Sequence, residues 1–153
     1  MIVVRSKDVE GKDWGEMVGI GPIGLVIKWL IHNEVGDATY GHRFAIREFI
    51  VDAAKTNELP AHRHKYVEAL YILSGRIIFK GQSGEKEVGP GDVVYTFSNE
   101  LHSARAAEGY KGPMHFLCII DCVDGGENCT PLGRSISVVP KPCDGKAKRK
   151  SKR

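Results

Sequence analysis

The sequence lacks any apolar stretch able to span a bilayer. The longest such run near its start, "LVIKWLI" at 25–31, has seven residues with Lys28 among them, against the roughly 20 a membrane helix needs. Its beginning, "MIVVRSKDVEGKDW", has no positive region followed by a long apolar one. No secretory signal is therefore expected, and the cytoplasm is the expected location. Helical periodicity is also missing, apart from room for one turn within 8–18. Cysteine is absent from the first 117 residues, and Cys118, Cys122, Cys129 and Cys143 are spaced unlike any C-x2-C zinc or redox motif. Ordinary buried thiols are the expected state. A disulfide clipping "DGGENCTP" to the body of the fold and a second metal site are the alternatives.

What is present is globular. A length of 153 residues suits one domain, and a hydrophobic share of 42% with 27% charged residues excludes a mainly disordered or fibrous chain. Charge is placed unevenly. Lys146, Lys148, Arg149, Lys150, Lys152 and Arg153 supply six positive charges in a chain whose net charge is +3, so residues 1–145 net −3. The expected organisation is an N-terminal segment 1–18, one barrel domain over 19–140 and a disordered basic tail over 141–153. A solvated terminus is the expected role of that tail, in preference to nucleic-acid binding.

Between its 18 glycines and 7 prolines the chain carries short runs rich in Val, Ile, Phe and Tyr. Strands are predicted at 23–32, 43–52, 68–74, 76–81, 92–97, 101–107 and 114–122, separated by turns such as "GQSGE" and "VGPGD". Short, evenly spaced strands without intervening helices predict an all-β sandwich, jelly roll or barrel.

Within "PAHRHKYVEALYILSG", His62 and His64 lie two apart on an extended segment and so project to one side. On a straight strand Glu68 would sit about 13 Å beyond His64, too far to share an ion. The chain must therefore turn through Lys65, Tyr66 and Val67, with Glu68 opening the next strand. A hairpin in "VGPGDVVYTFSNELHSA" could return His102 to the same point. Three imidazoles and one carboxylate suit a divalent first-row transition metal (Fe, Mn, Ni or Zn) and leave positions open for water or substrate.

These stretches resemble the two motifs of the cupin superfamily, in particular its small type-2, RmlC-like barrels. The first is His62-x-His64, three residues, Glu68, six residues, Gly75; the second is Gly84, five residues, Pro90, then "GDVVYTFSNELH" ending at His102. Asn57 stands where an opening glycine is common, and Ala106 where an asparagine is expected. The resemblance covers residues 40–122. It implies a double-stranded β-helix, one metal per chain on His62, His64, Glu68 and His102, a small-molecule substrate and pairing as a homodimer, with 19–34 free to extend a sheet or swap.

A mononuclear metalloenzyme of dioxygenase, isomerase or lyase type is the leading expectation. A non-catalytic binding or sensing module is the alternative, although 153 residues leave no room for a helix-turn-helix output domain. A storage-like cupin would be larger, two-barrelled and secreted. Tyr66 is a candidate proton shuttle and Arg47 a candidate anchor for an anionic substrate. Outward facing is nevertheless expected for Arg47, Tyr66 and Arg105, and His32, His42 and His115 are expected to be surface or hydrogen-bonded residues.

Overall fold

Alternation of inward and outward side chains sorts the chain into two antiparallel sheets that face each other. The computed structural model describes residues 1–35, 43–56, 58–131 and 136–138; His42, Asn57, Cys143 and the basic tail lie outside them. In chain order the strands are β1 (Lys12–Asp13), β2 (Leu25–Ile31), β3 (Phe44–Val51), β4 (Glu58–His64), β5 (Glu68–Ser74), β6 (Ile77–Gly81), β7 (Gly84–Val88), β8 (Val93–Thr96), β9 (His102–Ala106), β10 (Met114–Asp121) and β11 (Ile136–Val138). One sheet runs β1-β2-β3-β10-β5-β8 and the other β11-β4-β9-β6-β7. The only α-helix among the described residues is α1, Trp14–Met17. Among the described residues no helix is long and apolar enough to cross a membrane.

The interior divides into an apolar end and a polar end. Val51 pairs with Met114, and Phe49 with Phe116, which in turn pairs with Ile72. Phe116 stacks on Phe49 at 5.2 Å and meets Phe79 of the opposite sheet edge-on at 6.4 Å. Two rows further along β3 the same inner face carries Arg47, and Ala45, Ile120, Glu68 and Thr96 follow one another across four strands. Gly75 turns the chain from β5 into β6 at φ 108°, and a Cβ there would lie 3.0 Å from Met114 Cα, so glycine is required.

Four of the described strands lie outside the predicted set; one of them, β4, covers the segment of His62 and His64 that the sequence marked only as extended. The edge strand β7 is "GEKEV", with Gly84–Glu87 exposed, so no apolar alternation announces it. The short β1 and β11 are recruited by the edges they pair with. β11 sets Ile136 against His64 and Val138 against His62.

The thiol state expected for all four cysteines is corrected here. Cys122 and Cys129 form a disulfide seven residues apart in sequence, while Cys118 is free and buried. The bridge closes a 3-10 turn at Asp124–Cys129, and Asn128 fastens it further. The Asn128 side chain accepts from Val123 N at 2.8 Å and donates to Asp121 O at 2.6 Å.

On the outer face Glu48 is buried by the N-terminal segment. It accepts from Ser6 Oγ and meets His115 Nε2 at 2.7 Å, and Lys28 Nζ donates to Ser6 O at 2.9 Å. Burial alone would raise the Glu48 pKa, but Ser6, His115 and Lys28 together hold it below the ordinary 4.5.

Two outcomes are expected from this architecture. Reducing the Cys122–Cys129 bridge frees a seven-residue loop in the unfolded chain, which should cost about 2 kcal/mol. Urea unfolding with and without reductant reads it, and coincident curves would refute it. The stability that Glu48 contributes is complete above pH 4.5 and is lost as pH falls through its lower folded pKa. Glu48→Gln should therefore flatten the acid limb of a melting-temperature profile, and an unchanged limb would contradict the assignment.

Candidate metal centre

Strand register brings the motif residues together. His62 on β4 is the direct partner of His102 on β9, after a bulge between Leu59 and His62 that sets which side chains face inward. β4 ends at His64 and β5 begins at Glu68, so the chain turns through Lys65–Val67 as the spacing requires. That turn is tied at three points. Val67 N donates to Asp121 Oδ1 at 2.9 Å, Asn99 N donates to His64 O at 2.7 Å, and Ser98 Oγ donates to Lys65 O. The loop before His102 is pinned through Glu100, whose two oxygens accept Gln82 N and Phe97 N at 3.0 and 3.1 Å.

The three imidazoles share one orientation. Nδ1 of His62, His64 and His102 sits 2.9, 2.8 and 2.9 Å from the carbonyls of Pro60, Tyr66 and Glu100. A carbonyl only accepts, so each Nδ1 carries the proton and donates, which leaves Nε2 with its lone pair for another partner. The three candidate ligand nitrogens lie within 4.8 Å of one another. Nε2 of His64 and of His102 is buried without a hydrogen-bond partner. Glu68 Oε2 stands 3.5 and 3.6 Å from them, too far for hydrogen bonds and close enough for charge attraction.

An orphaned buried nitrogen costs on the order of 1–3 kcal/mol. Two such atoms aimed at one point, beside a third imidazole and a free carboxylate oxygen, make a donor set that fits a divalent first-row metal.

Electrostatics match this geometry. Burial pushes the Glu68 carboxyl up, but His102, His64 and Arg47 outweigh it and hold the group well below the usual carboxylate range. Burial, reinforced by His102, lowers His62 to about 4 and keeps it neutral. For His102 burial works downward, yet contact with Glu68 leaves its pKa raised.

Behind the ligands lies a second layer that the sequence reading did not assemble. Arg47 and Tyr66 are buried, at 3% and 2% exposure, which corrects the outward facing expected of them. Arg105 does face outward and pairs with Glu85 at 2.9 Å. Arg47 Nη2 donates to Glu68 Oε1 at 3.0 Å and to Cys118 Sγ at 2.7 Å, and the Cys118 thiol donates to the same Oε1 at 2.6 Å. The guanidinium lies 5.1–5.8 Å from the ring centres of Trp29, Phe49 and Tyr66. Desolvation opposes its charge, but Cys118, Tyr66 and Glu68 raise its pKa on balance. Tyr66 stacks on His64 at 3.9 Å, nearly parallel, and burial pushes its phenol up to about 12. Trp14 of α1 adjoins His62 at 5.5 Å.

His115 is hydrogen-bonded to Glu48, and His32 Nδ1 accepts from Glu34 N at 3.3 Å, so neither joins the centre. Both agree with the expectation for them.

Comparison with known proteins agrees with the architecture. Residues 49–120 match the family model described as a cupin domain, and the barrel is a cupin barrel. No curated protein matches the sequence. Among solved structures, the polyketide cyclase RemF from Streptomyces resistomycificus is similar at 26% identity, with 80% of each chain covered and a TM-score of 0.58. A predicted oxalate decarboxylase from Thermotoga maritima is 24% identical over 78% of this chain and 98% of its own, with a TM-score of 0.63. A cupin-2 domain protein from Rhodospirillum rubrum covers 92% of this chain and 82% of its own at 18% identity and a TM-score of 0.64.

Removing Arg47 strips Glu68 of its one buried cation. Arg47→Met should destabilise the metal-free protein by about 3–5 kcal/mol, as measured by urea unfolding. Much of that loss should vanish in an Arg47→Met/Glu68→Gln double variant, because the stranded charge is gone. Strictly additive single effects would show that the two side chains do not act as a pair.

Proposed function

We propose that this cupin barrel is a mononuclear metal centre acting on a small organic substrate, with His62, His64, His102 and Glu68 as the residues that hold the ion. The observation that carries the proposal is the shared orientation of three imidazoles, each with Nδ1 on a backbone carbonyl, two of them presenting buried Nε2 atoms without a partner. A divalent ion bound there supplies Lewis acidity to a substrate oxygen. The similar Streptomyces protein is named a polyketide cyclase, which supports chemistry on a small organic molecule.

The chain's own contribution is placement. Backbone carbonyls fix the imidazole tautomers, and Tyr66 fixes the plane of His64. Arg47 and Cys118 occupy Oε1 of Glu68 and so reserve Oε2 for the ion. In this reading Arg47 and Tyr66 serve the ligands and do not touch substrate. His64, Glu68 and His102 are buried, and little water beside them strengthens every charge interaction at the centre.

Metal analysis of protein purified without an affinity tag should find about one equivalent per chain in the wild type and little in His64→Ala or His102→Ala. A majority of zinc or nickel would favour isomerase or lyase chemistry, and a majority of iron would favour a dioxygenase. Wild-type protein that takes up no metal on anaerobic reconstitution would refute the proposal and leave a metal-free binding barrel.

A further inference from the structure

The two sheets do not close on each other everywhere. Between β6–β7 and β8 lies a cavity of about 200 Å³, and His102 forms part of its wall. That volume holds roughly half a dozen water-sized groups, the size of a molecule of a few carbons.

Two side chains give the cavity its chemistry. Thr96 is the direct partner of Glu68 across β5 and β8, so its side chain points inward with the carboxylate. It is 4% exposed and lines the cavity, and its Oγ1 is buried without a hydrogen-bond partner. A hydroxyl in that position loses its water and gains nothing in return, unless a bound molecule supplies the partner.

Lys86 stands on β7 opposite Phe79, and register partners share a face of the sheet. Phe79 is a core residue, so Lys86 also rises from the inner face, on the exposed edge strand that borders the cavity. It forms no ion pair among the described residues, in contrast to Arg76 and Arg105, which pair with the neighbouring Glu87 and Glu85 at 2.6 and 2.9 Å.

Lys86 is the cation whose side chain rises into this space, and Glu100 is the one carboxylate in its wall. Both Glu100 oxygens already accept backbone N–H groups, which leaves Lys86 as the charge without a partner among the described residues.

We infer that this cavity is the substrate pocket of the barrel and that it selects a small organic carboxylate, with Lys86 binding the carboxylate group and Thr96 Oγ1 hydrogen-bonding the ligand next to His102. The inference rests on the metal-centre reading for the identity of the site, and it adds the class of molecule. Lys86 is a specificity residue and Thr96 a positioning residue, and neither belongs to the ion's donor set.

The test is calorimetric titration of metal-loaded protein with malonate and with its neutral diamide, metal content being measured on the same samples. Wild-type protein should bind malonate and not the diamide. Lys86→Met should weaken malonate binding about 10-fold or more, as loss of a charge-assisted bond predicts. Lys86→Arg should stay within about threefold of wild type, since it keeps the charge. Thr96→Val should cost about 3- to 10-fold. Metal content should be unchanged in all three variants.

Equal malonate affinity in wild type and Lys86→Met would overturn the inference, as would wild-type protein that binds neither malonate nor succinate. The Lys86 comparison is repeated on metal-free protein. Failure to load metal would therefore sink the metal-centre reading through the metal assay, while the pocket is still judged by its own titration.

Discussion

One carboxylate, buried where water cannot reach it, governs the design of this barrel. Glu68 is 5% exposed and remains ionised, although desolvation alone would drive it to the neutral form. Its two oxygens have separate partners: Oε1 takes Arg47 and the Cys118 thiol, and Oε2 faces His64 and His102. A buried ion pair of this kind seldom adds stability relative to a well-packed apolar pair of the same volume. Stability therefore does not explain it, and the arrangement makes sense as a means of keeping one charged oxygen available beside three imidazoles. Arg47 in turn needs a place to stand, and the faces of Trp29, Phe49 and Tyr66 provide it.

Precision at the centre comes from ladders more than from loops. Registers across β4–β9, β5–β8, β3–β10 and β10–β5 place His62 opposite His102, Glu68 opposite Thr96, Arg47 opposite Cys118, and Ile120 opposite Glu68. Strand pairing fixes these positions to within the pleat, because a slip of one residue would turn every inward group outward. The two loops that carry chemistry are tied to one another, through Asn99 N on His64 O and Ser98 Oγ on Lys65 O. The apolar end, built from Phe49, Phe116 and Phe79, supplies the rigidity against which the polar end is held.

Much of this was legible from period-two alternation. Strand β5 was placed at its observed bounds, and the distance between His64 and Glu68 required the turn that the structure contains. Other features were hidden for identifiable reasons. In "FAIREFIV" each face of the strand carries three apolar residues and one charged one, so alternation alone cannot say that Arg47 points in and Glu48 out. The outward Glu48 is buried all the same, by the N-terminal segment through Ser6. β7 is polar because it is an exposed edge, and a reading that looks for apolar alternation passes over it. The Cys122–Cys129 bridge depends on a 3-10 turn fastened by Asn128, and the spacing of the two cysteines does not announce that turn.

The edges of the two sheets also explain which side of the barrel is open. β4 carries two of the histidines and would be an exposed edge if the sheet ended there, yet β11 pairs along His62–His64 and makes it an interior strand. The ligand strand thus has hydrogen-bonded neighbours on both flanks, β11 and β9, which hold its backbone in place. At the other end of the two sheets, among the described residues, β7 and β8 have no further strand beside them. An edge strand must avoid pairing with other chains, and charged side chains are the usual means. Glu85, Lys86 and Glu87 on β7 fit that need, and an inward-pointing lysine on an edge strand is one of the usual devices. Edge protection alone therefore does not single out Lys86; its place in the cavity wall does. Lys86 faces the cavity from an edge strand, so the charge that guards the edge is also placed to meet what enters there.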